Sequence, residues 1–173
     1  MWLKIDLEGI DFHFRISNYK KSTSNWGDEW SRIDLTLQSR KWLDYQIVND
    51  ELLLMCEIET LRDNIKALLS DEIDKIERVE CIEPDLTFVF FPKYDLRNDS
   101  KYTYVAPGYE IVDIHMELEV AFWNGGLTAN RLMLSFDRSD LEIFLCYLDL
   151  ITKQLEIQDK KVIGLIDNGT LYG

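Results

Sequence analysis

The chain has 173 residues, 46% of them hydrophobic and 12% aromatic, enough for one domain over residues 1–173 with a sizeable core, so a disordered chain is excluded. Its 19 Lys and Arg stand against 32 Asp and Glu, a formal net charge of −13. That sign speaks against nucleic acid, whose phosphates are bound by cations, and against an anionic membrane surface. It favours a basic protein partner, or serves solubility alone.

The start of the chain is interrupted by Lys4, Asp6 and Glu8, so it has no secretory hydrophobic run, and no segment is long and apolar enough to span a bilayer. A cytoplasmic location is expected. Cys56, Cys81 and Cys146 are odd in number and widely spaced, which argues against a disulfide framework and against a cysteine zinc site. Cys56 and Cys146 fall in apolar helical stretches and are expected to be buried.

The N-terminal region alternates with a period of two. Leu3, Ile5 and Leu7 face one way and Lys4, Asp6 and Glu8 the other. After Gly9 the same pattern resumes with Ile10, Phe12, Phe14 and Ile16, and this predicts two strands with one buried face. Residues 18–27 read as a polar loop, followed by a strand bearing Ile33, Leu35 and Leu37. A first helix is expected over residues 49–70, capped by Asn49 or Asp50, with Leu54, Ile58, Leu61, Ile65 and Leu68 as its apolar stripe. Residues 79–91 are strand-like, with Leu86, Phe88 and Phe90 on one face; Pro84 marks a strand start, an edge or a bulge and leaves the phase open. Residues 93–108 are polar and tyrosine-bearing, an excursion between strands.

The clearest hairpin follows. Val112, Ile114, Met116, Leu118, Val120 and Phe122 point one way, Asn124, Gly125 and Gly126 supply a tight turn, and Leu132, Leu134 and Phe136 return. Ser139-Asp140-Leu141-Glu142 has the spacing of a capping box and opens a second helix through Leu155. In the tail, Val162, Ile163, Leu165 and Ile166 are expected to form a last short strand.

These elements predict an α+β fold, in the order β-β-β-α-β-β-β-α: one antiparallel sheet with two helices on its apolar face and the other face in water. The wet face is expected to carry Asp6, His13, Arg15, Arg32, Asp34, Asp85, His115, Glu117, Glu119 and Arg131.

Catalytic signatures are missing: there is no G-x-S-x-G, P-loop, G-x-G-x-x-G or H-E-x-x-H. His115-Met116-Glu117 has the H-x-E of zinc deaminases without their P-C-x-x-C. His13 and His115 with Asp113, Glu117 or Glu119 would suit a metal only if the fold gathered them, which the spacing does not do. No cofactor, metal or catalytic residue is therefore assigned. Trp26 and Trp30 flank an acidic segment at a loop-to-strand junction, as an interface anchor or as the closure of the core.

The order of features is itself informative. A strand with Trp30 and Ile33-Asp34-Leu35 leads to a helix around Glu51-Leu52 to Leu69, then to Cys81-Ile82-Glu83-Pro84-Asp85-Leu86-Thr87-Phe88, a hairpin, and a helix opened by Ser139-Asp140-Leu141. This resembles the WapI-like immunity proteins of bacterial polymorphic, contact-dependent toxin systems, over residues 26–155. The resemblance implies a non-catalytic cytoplasmic antitoxin that binds and neutralises the toxin domain of a delivered protein, often a nuclease. Residues 93–108 and the chain past Gln158 depart from the pattern, and either would be the partner-specific part. The interface is placed at Asp28 and Glu29 in the acidic loop and at Asp113, Glu117 and Glu119 on the wet sheet face. Two other readings stay open: an acidic interaction or scaffolding module with a non-toxin partner, and a small hydrolase using His13, His115 and carboxylates. The sequence assigns no oligomeric state.

Overall fold

The computed structural model describes residues 1–21, 29–123 and 126–173. Strand β1 (Trp2–Leu7) turns through Glu8 and Gly9 into β2 (Ile10–Ser17). Both turn residues have left-handed φ, 52° and 93°, the geometry that lets a two-residue turn match the strand twist. Asp6 fixes it by accepting the Gly9 N–H at 2.8 Å. Strands β3 (Arg32–Gln38) and β4 (Asp44–Asp50) continue the antiparallel sheet, and the short β11 (Leu171–Tyr172) closes its other edge, giving the order β11-β1-β2-β3-β4.

A second antiparallel sheet has the order β10-β9-β6-β5, from β5 (Glu77–Glu80), β6 (Leu86–Phe91), β9 (His115–Trp123) and β10 (Leu127–Phe136). Between β6 and β9 the chain leaves the sheet. There, β7 (Tyr94–Asp95) and β8 (Ile111–Val112) pair as a separate ribbon, and Leu96–Asn98 forms a 3-10 turn. The helices are α1 (Met55–Leu69), α2 (Arg138–Ile151) and α3 (Lys160–Asp167).

Inward-facing side chains of both sheets and of all three helices form one hydrophobic cluster. At its aromatic centre Phe12 of β2 meets Phe136 of β10 edge-on at 5.2 Å and Phe144 of α2 at 6.1 Å, so the two sheets and α2 share one packing point. Tyr147, one helical turn on, is fully buried, and its hydroxyl oxygen accepts the Ile16 N–H at 2.8 Å. Burial pushes this phenol above its ordinary pKa.

The α+β class and the antiparallel pairing are as expected; the single sheet is not, since two sheets and a ribbon are found. The unexpected strand β4 is an edge strand whose residues are half-exposed or exposed, so it lacks an apolar face to betray it. It occupies the expected start of the first helix, which begins six residues later. Asn49 is not a cap. It sits at φ 53° where the β3–β4 register slips between Ile33 and Leu35, in a bulge conformation that Asn tolerates. The N-cap of α1 is Leu54, whose N–H is taken by Glu57 at 2.8 Å. The N-cap of the second helix is Asp137, two residues before Ser139. Asp137 accepts the Asp140 N–H at 2.9 Å while Asp140 accepts the Asp137 N–H at 3.1 Å, a reciprocal box with Asp in both roles. In the tail, Val162, Ile163, Leu165 and Ile166 are helical, and only Val162 is buried; the last strand lies further on, at Leu171–Tyr172.

The expected hairpin is present, with Trp123 opposite Leu127, although Asn124 and Gly125 lie outside the described residues. Pro84 lies in the turn between β5 and β6, which pair with each other. Cys56 is half-buried on α1, Cys146 is buried on α2, and Cys81 is buried just before the Pro84 turn.

Candidate functional site

The outer face of the second sheet is where the sequence places Glu117 and Glu119. Alternation along β9 turns His115, Glu117 and Glu119 outward, opposite Phe91, Val89 and Thr87 of β6. Glu119 is mostly covered. Arg78 of β5 reaches across β6 and grips both its carboxylate oxygens, at 2.6 and 3.0 Å, and Arg131 of β10 stands 3.8 Å away. The Arg78 hydrogen bonds hold the Glu119 carboxyl below its ordinary range. Glu117 has no ion-pair partner among the described residues. His115 stacks on Phe91 with centroids 4.4 Å apart. The centre of this face is therefore charge-compensated rather than purely acidic.

Asp113 lies beyond the end of β9, at the foot of the excursion. Arg138, at the start of α2, donates to both its oxygens at 2.9 and 3.1 Å, and this pair lowers the carboxyl to about 2. Glu29 is exposed, with Lys20 Nζ at 3.7 Å, while its backbone carbonyl accepts the Met55 N–H that opens α1. Asp28 and Trp26 lie outside the described residues. Trp30 is half-buried in an isolated bridge to Leu54. The fold thus brings Glu117 and Glu119 to one sheet face, places Asp113 beyond its end, and carries Glu29 to the N-terminus of α1.

Two expected wet-face residues are buried instead. Asp34 is 2% exposed, because it accepts Nε of Arg15 at 2.8 Å and the Asn49 N–H at 3.0 Å across the β4 bulge. Arg15 in turn lies over the Trp2 ring, 4.7 Å from its centroid. Asp85 is 3% exposed and accepts Nε1–H of Trp123. Desolvation, then the charges of Glu83 and Asp50, raise its pKa. It lines a cleft of about 620 Å³ whose other walls include Tyr45, Asp50, Glu51, Glu83 and Trp123.

His13 and His115 belong to different sheets, and His13 Nδ1 lies 2.7 Å from the Tyr172 hydroxyl. Burial, with Lys4 adding to it, lowers the His13 pKa. Among the described residues no group of three or more His, Cys, Asp or Glu is placed to hold a metal ion. No helix of the described chain is long and apolar enough to cross a membrane.

The excursion holds a feature that periodicity does not reveal. Four of the chain's eight tyrosines lie here, Tyr94, Tyr102 and Tyr104 within residues 93–108 and Tyr109 just past them, and all are exposed. The only sequence signal is their density in a stretch without strand or helix spacing.

The architecture is that of an α+β protein of two antiparallel sheets closed around one core. The model of the Immunity protein WapI-like family matches residues 2–156, and the chain belongs to that family of immunity proteins. Comparison with curated proteins finds no match.

Proposed function

We propose that the protein is a non-catalytic antitoxin that binds the toxin domain of its own cell's delivered toxin, a nuclease, in the cytoplasm, and blocks it stoichiometrically. The observation that carries this reading is the family match over residues 2–156. The charge of −13 supports it. A nuclease that binds phosphate carries a positive surface, and an acidic partner is steered to it, with encounter rates raised on the order of 10–10³-fold at low salt.

Glu29, Asp113, Glu117 and Glu119 then act as an attracting rim, with Asp28 assigned to the same rim from sequence alone. Asp113 and Glu119 already hold arginines, so each adds little net field of its own. The attraction falls mainly on Glu29 and Glu117 and on the overall charge of −13.

The test is co-expression with the C-terminal domain of a candidate toxin taken from a gene adjacent to this one. Growth arrest by that domain, relieved by the intact chain, is the expected result. Arrest that persists despite soluble antitoxin would transfer the protein to the reading of an interaction module with a non-toxin partner.

A further inference from the structure

We propose that residues 93–112, the tyrosine-bearing excursion together with the strand β8 that closes it, form the contact centre for the toxin domain, and that this basic partner seats Lys and Arg side chains against its tyrosine rings. The inference rests on the antitoxin reading above and adds to it the place and chemistry of contact.

The excursion is built, but not for the core. The pairing of Tyr94–Asp95 with Ile111–Val112 closes its base, and Leu96 N–H donates to the Glu110 carbonyl at 2.7 Å. Asp95 caps the 3-10 turn by accepting the Arg97 N–H at 2.9 Å, and Glu110 accepts the Gly108 N–H at 2.8 Å. Yet no residue of 93–112 belongs to the hydrophobic cluster or packs against it. A segment ordered by its own hydrogen bonds loses little freedom on binding, which favours affinity.

What it presents is aromatic. Tyr104 is 75% exposed, Tyr109 74% and Tyr102 50%. Tyrosine gives a large, rigid contact area at low entropy cost and is enriched at protein-binding surfaces. Rings left in water add nothing to folding and stay available to a partner.

Charge selects the kind of partner. Residues 93–112 carry Lys93, Arg97 and Lys101 against Asp95, Asp99 and Glu110, so 3 − 3 = 0, in a chain of −13. A partner docking there buries few unpaired carboxylates, while the acidic remainder of the protein attracts positive charge to the rim. The face of a tyrosine ring itself attracts Lys and Arg. An acidic partner would be repelled by the whole chain, and phosphate-bearing nucleic acid equally so.

The experiment measures association and dissociation of the full chain with the purified C-terminal domain of that candidate toxin, at low and high salt. Three forms are compared: unsubstituted, Tyr104→Ala with Tyr109→Ala, and Tyr104→Phe with Tyr109→Phe. The alanine pair is expected to dissociate about 30-fold faster or more, with its thermal midpoint unchanged. The phenylalanine pair keeps the ring faces and is expected within about threefold of the unsubstituted chain. Unsubstituted chain that binds, with an alanine pair that dissociates at the same rate, overturns the inference and leaves the antitoxin reading standing. Unsubstituted chain that fails to bind overturns both.

Discussion

Asp85 shows how a single side chain can be misplaced by its neighbours in sequence. The alternation of Asp85, Thr87 and Val89 predicts solvated side chains, but all three are buried, although Thr87 and Val89 share the outer face with Glu119 and Glu117. The cover over Asp85 comes from the far end of β9, where Trp123 donates its indole N–H to it, and from backbone pairing that joins the Asp85 carbonyl to Ala121 N–H at 2.8 Å. No local pattern announces a partner 38 residues away. Because its folded pKa is raised, Asp85 binds a proton more tightly folded than unfolded. Its ionised form therefore costs stability above that raised pKa, and the cost disappears as pH falls through it toward the ordinary carboxylate value. Asp85→Asn keeps an oxygen acceptor for Trp123 and removes the charge. It is expected to be at least as stable as the parent at neutral pH, with the advantage shrinking on acidification. Urea denaturation of both forms across that pH range checks this; a variant clearly less stable at neutral pH would show that the charge itself is needed. Asp34 reaches burial by another route, with Arg15 and the Asn49 amide as its partners, and it was equally hidden in a perfect strand alternation.

Among the elements, those with a strong apolar period were legible. The stripe of Ile58, Leu61, Ile65 and Leu68 is buried on α1, and Leu86, Phe88 and Phe90 are buried on β6, as their spacing implies. What failed were elements whose shape is set by position rather than pattern. Strand β4 is an edge with little to bury, and α3 covers the core through Val162 with Leu165 packed beside it, so its four apolar residues do not distinguish strand from helix over so short a span. The excursion was recognised as a break, but its tyrosines carry no periodic signal. Helix boundaries slipped because cap chemistry is redundant: Asp137 and Ser139 are both good cap residues, and the Asp137–Asp140 box prevails, with Ser139 Oγ donating to Asp137 at 2.7 Å. Hydrogen bonds from the Asp140 amide and Ser139 lower the Asp137 pKa. A depressed carboxyl stabilises the fold above its unfolded pKa, and that contribution is lost as pH falls through the folded value. Asp137→Ala is expected to cost about 0.5–2 kcal/mol at neutral pH and progressively less in acid. Thermal melts at the two pH extremes measure it, and a pH-independent loss would point to packing instead of the cap charge.

For the whole molecule, the order of elements carried the family resemblance, whereas the contact surface was least legible. Exposed acids are abundant, so choosing Asp113, Glu117 and Glu119 among them rested on strand phase and choosing Glu29 on an acidic loop, and neither says which acids a neighbouring Arg already holds. Arg78 and Arg138 come from β5 and α2, elements far in sequence from the acids they grip. The family match ends at residue 156, but the fold does not. Val162 and Leu171 are buried, and Leu171–Tyr172 pairs with Trp2 and Leu3 at the border of the first sheet. A chain cut after residue 156 would leave the backbone donors and acceptors of β1 open along that border, a template on which a second molecule can add its own strand. Such a truncation is expected to self-associate, with light scattering rising with concentration where the full chain stays dispersed. The two-residue strand at the end of the chain would then act as a guard against polymerisation, a task separate from any partner the protein binds.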